Sequence, residues 1–147
     1  MAAAITRKPS RHRAKKANTF NRLPMARDNA LMISVPGVSK ITSFSLAHLP
    51  ELGQRSPKSI AALAGLAPFD NKSGKLNRRS QIQGGRSRVR RALYMAALGA
   101  IRACERFRTF YTAIAARSGS KKLAIIAVAR KLLVVLNAII RDKKAFA

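Results

Sequence analysis

Residues 84–107 read GGRSRVRRALYMAALGAIRACERF, and this stretch decides the fold. Val89, Leu93, Ala96, Ala97, Ala100, Ile101 and Cys104 recur at helical spacing, which predicts an amphipathic helix from about Arg86 to Phe107. The helix start is electrostatically wrong. Arg86, Arg88, Arg90 and Arg91 crowd the positive end of the helix dipole, each unfavourable by about 0.3–1 kcal/mol before mutual repulsion is counted. A bound phosphate reverses the sign of every one of those terms, so the arginines point to phosphate contact rather than to a solvated basic face.

Upstream, helical periodicity vanishes between Leu66 and Gln83, and Asn71, Gly74 and Asn77 mark turns. The expectation is an irregular loop or short hairpin of the length that often carries function. Within it, Asn71-Lys72-Ser73-Gly74-Lys75 sets a hydroxyl between two lysines, and Arg78, Arg79, Gly84 and Gly85 extend the same basic, backbone-accessible surface. Before the loop, Ser56-Pro57 is a cap followed by proline at the first helical position, Ile60, Leu63 and Ala64 form an apolar face, and Gly65 closes that helix.

Further upstream, residues 26–34 form a short helix that ends before Val35-Pro36. Gly37-Val38-Ser39 turns into a second helix from Ser39 to His48, stopped by Pro50. This resembles a helix-hairpin-helix, in which Gly37 and Lys40 would meet a DNA phosphate. Ser39 stands where such a hairpin carries its second glycine, so a plain packing corner between two helices is the competing reading.

Downstream, Phe107, Phe110 and Tyr111 read as hydrophobic anchors at helical spacing rather than base-stacking platforms. Ser118-Gly119-Ser120 breaks the chain before a last helix from Lys121 to Arg141. That helix approaches bilayer length, but Arg130 and Lys131 fall near its middle. Its Leu, Ile and Val favour insertion by roughly 3–7 kcal/mol and the two central cations oppose it by about 5–7 kcal/mol, so a buried core helix is expected and no membrane. The fold class is therefore all-α: a bundle of five to six helices over residues 25–147, with an irregular loop at 66–83.

The first 24 residues hold Arg7, Lys8, Arg11, His12, Arg13, Lys15, Lys16 and Arg22 with almost nothing apolar, and read as a disordered basic arm. A solvated tail, a nucleic-acid arm and a transit peptide all suit that composition. Across 147 residues, 30 Lys and Arg face five acids, a net charge of +25, while 48% hydrophobic content supports a real core. Such a field calls for a polyanion, DNA or RNA first and an anionic membrane surface second. The single cysteine, Cys104, rules out an internal disulfide and fits a reducing cytoplasm. The basic start is not followed by the apolar run of a secretory signal.

Tested for catalysis, the chain offers little. Asp28, Glu51, Asp70, Glu105 and Asp142 are scattered singly, and His12 and His48 are isolated, so neither a two-metal site nor a Ser-His-Asp triad is supported. Gly74-Lys75 lacks the rest of a Walker loop. Ser73 is the one interesting nucleophile, but only Asp70 is at hand to take its proton, and the residues alone favour a phosphate-binding turn.

Taken together, several blocks resemble one family. These are Val35-Pro36-Gly37-Val38, Leu49-Pro50-Glu51-Leu52-Gly53, Leu63-Ala64-Gly65-Leu66-Ala67-Pro68-Phe69, Ser73-Gly74-Lys75, Gly84-Gly85-Arg86, Ala92-Leu93-Tyr94-Met95-Ala96-Ala97, Ala129-Arg130-Lys131-Leu132-Leu133 and Leu136-Asn137. Over about residues 28–143 the chain looks like the C-terminal transposase domain of the insertion-sequence "one-ten" (one-ten, one-sixteen, nine-oh-two) family, which includes pilin-gene invertases. The resemblance implies a DNA transposase or recombinase in which Ser73 matches the serine that becomes joined to DNA. It also implies oligomers, a structured guide RNA, a cytoplasmic, nucleoid-associated location, and an N-terminal RuvC-like domain whose four acids bind divalent metal. Residues 1–24 bear no likeness to that domain, so the expectation is a truncated copy, needing no cofactor of its own and inactive alone. A non-enzymatic structural RNA-binding protein is the alternative from composition.

Overall fold

A computed structural model describes residues 26–69, 72–73, 76–77, 81–82 and 84–147. The arm at 1–24 lies outside the described residues, as do Asp70, Asn71, Gly74, Lys75, Arg78 and Arg79. Among the described residues six helices follow in order: α1 Ala26–Ile33, α2 Lys40–Leu46, α3 Pro57–Leu63, α4 Ser87–Ala103, α5 Glu105–Ser118 and α6 Lys121–Asp142. The all-α expectation holds.

The apolar periodicity of α4 and α6 makes these two the centre. Val89, Leu93, Ala96, Ala97 and Ala100 of α4 are buried, as are Val128, Ala129, Leu132, Leu133, Leu136, Ile139 and Ile140 of α6. α5 packs on both, α2 on α4, α3 on α6, and α1 on α2 and α6. α6 is long and apolar enough to cross a membrane, yet half of its apolar window is buried within the fold. Lys131 emerges beside α5, its ammonium 4.1 Å from the centre of the Phe110 ring.

Local chemistry sets the ends. Ser56 accepts from the Ser59 N–H at 3.3 Å and Ser120 from Leu123 at 3.4 Å, relieving unsatisfied donors in the first turns of α3 and α6. The long helix expected to reach Phe107 stops at Ala103 instead, because Cys104 is extended at φ −133° and ψ 124°. Arg108, one turn into α5, donates from Nε to the Ile101 carbonyl at 3.3 Å and from Nη2 to the Arg102 carbonyl at 2.8 Å. A side chain thus satisfies the last carbonyls of α4 and fixes the corner, which the apolar repeat running through 104 does not reveal.

At the α1–α2 turn, Gly37 has φ +88°, and a Cβ there would lie 2.2 Å from the Ala100 nitrogen and 2.5 Å from the Ala96 oxygen. The turn therefore rests directly on the backbone of α4, where the small residues Ala96, Gly99 and Ala100 make room. Close helix packing accounts for the glycine, as the plain-corner reading of this turn requires. Ser39 caps α2 by accepting from Thr42 at 3.2 Å, and Lys40 is exposed at its first position.

In the 66–83 stretch the described residues take the short-hairpin form of the expectation. Two antiparallel ladders of two residues per strand run through it: β1 Pro68–Phe69 pairs with β4 Gln81–Ile82, and β2 Lys72–Ser73 with β3 Leu76–Asn77. Partners are Pro68 with Ile82, Phe69 with Gln81, Lys72 with Asn77 and Ser73 with Leu76. Two-residue strands are too short to show an alternating pattern, so periodicity has little to detect.

Candidate nucleic-acid interface

The two ladders are nested in sequence, β2–β3 between β1 and β4, and are here called the finger, with β1–β4 and the flanking glycines as its base. Ser73 pairs with Leu76 in the outer ladder, and only Gly74 and Lys75 lie between them in sequence. Lys72 is beside it on the same strand. At the base, Gly65 and Gly85 meet backbone to backbone: a Cβ on Gly65 would lie 2.3 Å from the Gly84 oxygen, and one on Gly85 2.3 Å from the Gly65 nitrogen. Both have positive φ, +72° and +66°, so glycine is required twice over. The Arg86 N–H donates to the Leu63 carbonyl at 3.1 Å and closes the base.

The four arginines behind the glycine pair divide into two sets. At about 100° per residue, Arg86 and Arg90 share one side of the helix and Arg88 and Arg91 the other. Arg90 donates from Nη1 to the Gly84 carbonyl at 2.5 Å. Arg86 is held at two points by Glu51, Nη1 to Oε2 at 2.6 Å and Nη2 to Oε1 at 2.8 Å. Hydrogen bonding from Arg86 is the chief cause that lowers the Glu51 pKa to about 2, aided by a backbone hydrogen bond at Glu51 and opposed by desolvation, while the Arg86 pKa is raised. Arg88 and Arg91 are exposed and make no hydrogen bond or ion pair among the described residues.

Sequence-predicted phosphate residues thus separate. Arg88 and Arg91 are exposed in the first turns of α4 and unpaired among the described residues; Arg86 and Arg90 are engaged within the fold. Gly84 and Gly85 sit exposed at the base, whereas Gly37 and Lys40 belong to the α1–α2 turn. Gly74, Lys75, Arg78 and Arg79 lie outside the described residues. Glu51 stands in the Leu49-Pro50-Glu51-Leu52-Gly53 block, but its pairing with Arg86, 35 positions away, has no local mark in the sequence.

Among the described residues no group of three His, Cys, Asp or Glu converges that could hold a metal ion. Glu51 is committed to Arg86.

Comparison with known proteins decides the family. The model of the Transposase IS116/IS110/IS902 family matches residues 29–112, from α1 through the finger and α4 into α5. The chain belongs to this family. Pilin gene-inverting proteins of Moraxella bovis and Moraxella lacunata are 34% and 33% identical over 125 and 122 residues, each alignment covering 80% of this chain and 38% of the relative. An insertion element IS110 uncharacterized 43.6 kDa protein of Streptomyces coelicolor is 28% identical over 145 residues, 97% of this chain and 36% of the relative. The chain spans less than two fifths of the length of these curated relatives. For this IS110-family chain, the family match takes in both the finger and the arginine-rich start of α4.

Proposed function

We propose that this chain is a DNA-handling part of a transposase or recombinase, in which the finger carries Ser73 to a DNA phosphodiester and Arg88 and Arg91 hold neighbouring phosphates. The observation that carries this reading is the placement of Ser73 on a paired strand whose base is pinned against the start of an arginine-rich helix. A strand hydroxyl held by a ladder can be oriented; free arginines at a helix N-terminus supply both charge and donors for phosphate oxygens. In the proposed step the Ser73 oxygen forms a bond to phosphorus as the bond from phosphorus to one sugar oxygen breaks, and the released sugar hydroxyl takes up a proton while the serine loses one. Asp70 is the acid near Ser73 in sequence that can take the serine proton, and metal-binding acids would come from another protein region. Guide RNA and an oligomer belong to the same proposal, acting in a bacterial cytoplasm.

Covalent trapping tests it. The chain is combined with the N-terminal region of a longer family member and nicked DNA carrying the family's termini. A protein–DNA adduct resistant to denaturant is expected with the native sequence and absent with Ser73→Ala. Equal adduct in both removes Ser73 as nucleophile, and no adduct with either removes serine chemistry from this chain. Preferential retention of structured RNA with no DNA affinity would instead favour a structural RNA-binding role.

A further inference from the structure

Glu51 lies in the turn between α2 and α3, on a segment tied to the core by a buried amide. Asn137 of α6 is 1% exposed; its Oδ1 accepts from the Gly53 N–H at 2.7 Å and its Nδ2 donates to the Arg55 carbonyl at 2.9 Å. Both ends of one buried side chain therefore fix the turn that carries Glu51. From Glu51 the connection continues through two charge-assisted bonds to Arg86, the residue directly after the finger's returning glycines. A bidentate pair restrains orientation as well as distance, which a single lysine contact would not.

We propose that Glu51 and Arg86 are positioning residues that lock the base of the Ser73 finger to the helical body, so that the ladders hold a fixed direction relative to α4. This rests on the reading of the finger as the working part of the domain, but not on its chemistry. The alternative use of Arg86, as a phosphate ligand, would require the two-point pair to open when DNA binds. Arg90, bonding the Gly84 carbonyl, is the second fastening on the same side. The inner ladder is short, so without these fastenings its few hydrogen bonds would be the ones to open first.

Hydrogen exchange on the full 147-residue chain without DNA reads this directly. In Glu51→Gln, peptides covering 66–69 and 81–85 are expected to exchange about tenfold faster, while those from the middle of α4 and α6 accelerate by no more than about fivefold, the factor that a loss of about 1 kcal/mol in global stability gives. Arg86→Gln should give the same pattern, and the exchanged pair Glu51→Arg with Arg86→Glu should recover most of the protection. Unchanged exchange at the finger base overturns the proposal. Uniform acceleration through α4 and α6 also overturns it, because the pair would then merely stabilise the whole fold. In the complemented trapping reaction, Glu51→Gln should lower adduct yield by about tenfold with an unchanged salt slope of DNA binding. A slope that falls with Arg86→Gln but not with Glu51→Gln would make Arg86 a phosphate ligand instead. The exchange result stands or falls without Ser73 chemistry, so the two readings fail separately.

Discussion

Replacing Arg88 and Arg91 together by alanine should move stability and binding in opposite directions. Both side chains are exposed near the positive end of α4, and neither has an intramolecular partner among the described residues. Their removal relieves repulsion with the dipole, so the free protein should gain about 0.5–1 kcal/mol, or about 2 °C in melting temperature for a chain of this size. If each holds one phosphate, the slope of log K against log salt should flatten by about 1.8, near 0.9 per phosphate. Over a fourfold rise in salt, native affinity would then fall about twelvefold more than the variant's. Fluorescence anisotropy with duplex DNA at several salt concentrations measures the slope, and calorimetry the melting shift. Arg86→Ala is the control, with its charge already engaged by Glu51 and its slope expected to match the native protein. An unchanged slope in the double variant, or a fall in the control alone, would show that the assignment of the two arginine pairs is wrong.

The Glu51–Arg86 pair predicts a pH signature. The folded Glu51 carboxyl sits at about 2 against an ordinary 4.5, so its stabilising contribution is full above 4.5 and lost as pH falls towards 2. With Arg86 more than a third exposed, screening reduces that contribution to about 1 kcal/mol. Urea unfolding should therefore separate native from Glu51→Gln protein by that amount at pH 7 and bring them together near pH 2; a gap independent of pH would refute the pairing. At the α1–α2 turn, Gly37→Ala combines a positive φ with a Cβ driven into the α4 backbone and should cost roughly 3 kcal/mol. Gly119→Ala, at φ +66° but with nothing within 4 Å of the added carbon, should cost only about 1 kcal/mol, and similar losses at both positions would deny the backbone contact.

The helical frame was legible because α4 and α6 bury one face each and their apolar residues repeat accordingly. Ser56, Gly65 and Ser118-Gly119-Ser120 marked ends through local chemistry, which a sequence displays. What was hidden depends on distant partners. The break at Cys104 is fixed partly by Arg108 reaching back to two carbonyls. The finger's ladders join residues up to 14 apart through strands of two, too short for alternation to register. Gly37 admitted two readings from sequence, and only the position of α4 supplies the close contact that explains it.

The four arginines at the start of α4 share an unfavourable position in the helix dipole but do not form one group. Helical geometry separates them before any contact is considered: positions 86 and 90 are one turn apart, and positions 88 and 91 fall on the far side. The first pair is engaged by the Glu51 carboxylate of the α2–α3 turn and by the Gly84 carbonyl at the finger base, which offset its charge. The other pair has no such compensation among the described residues, and its cost in the free protein remains. An uncompensated cation at a helix start is therefore the better marker of a phosphate contact than a cation there as such, and in this chain that criterion selects Arg88 and Arg91.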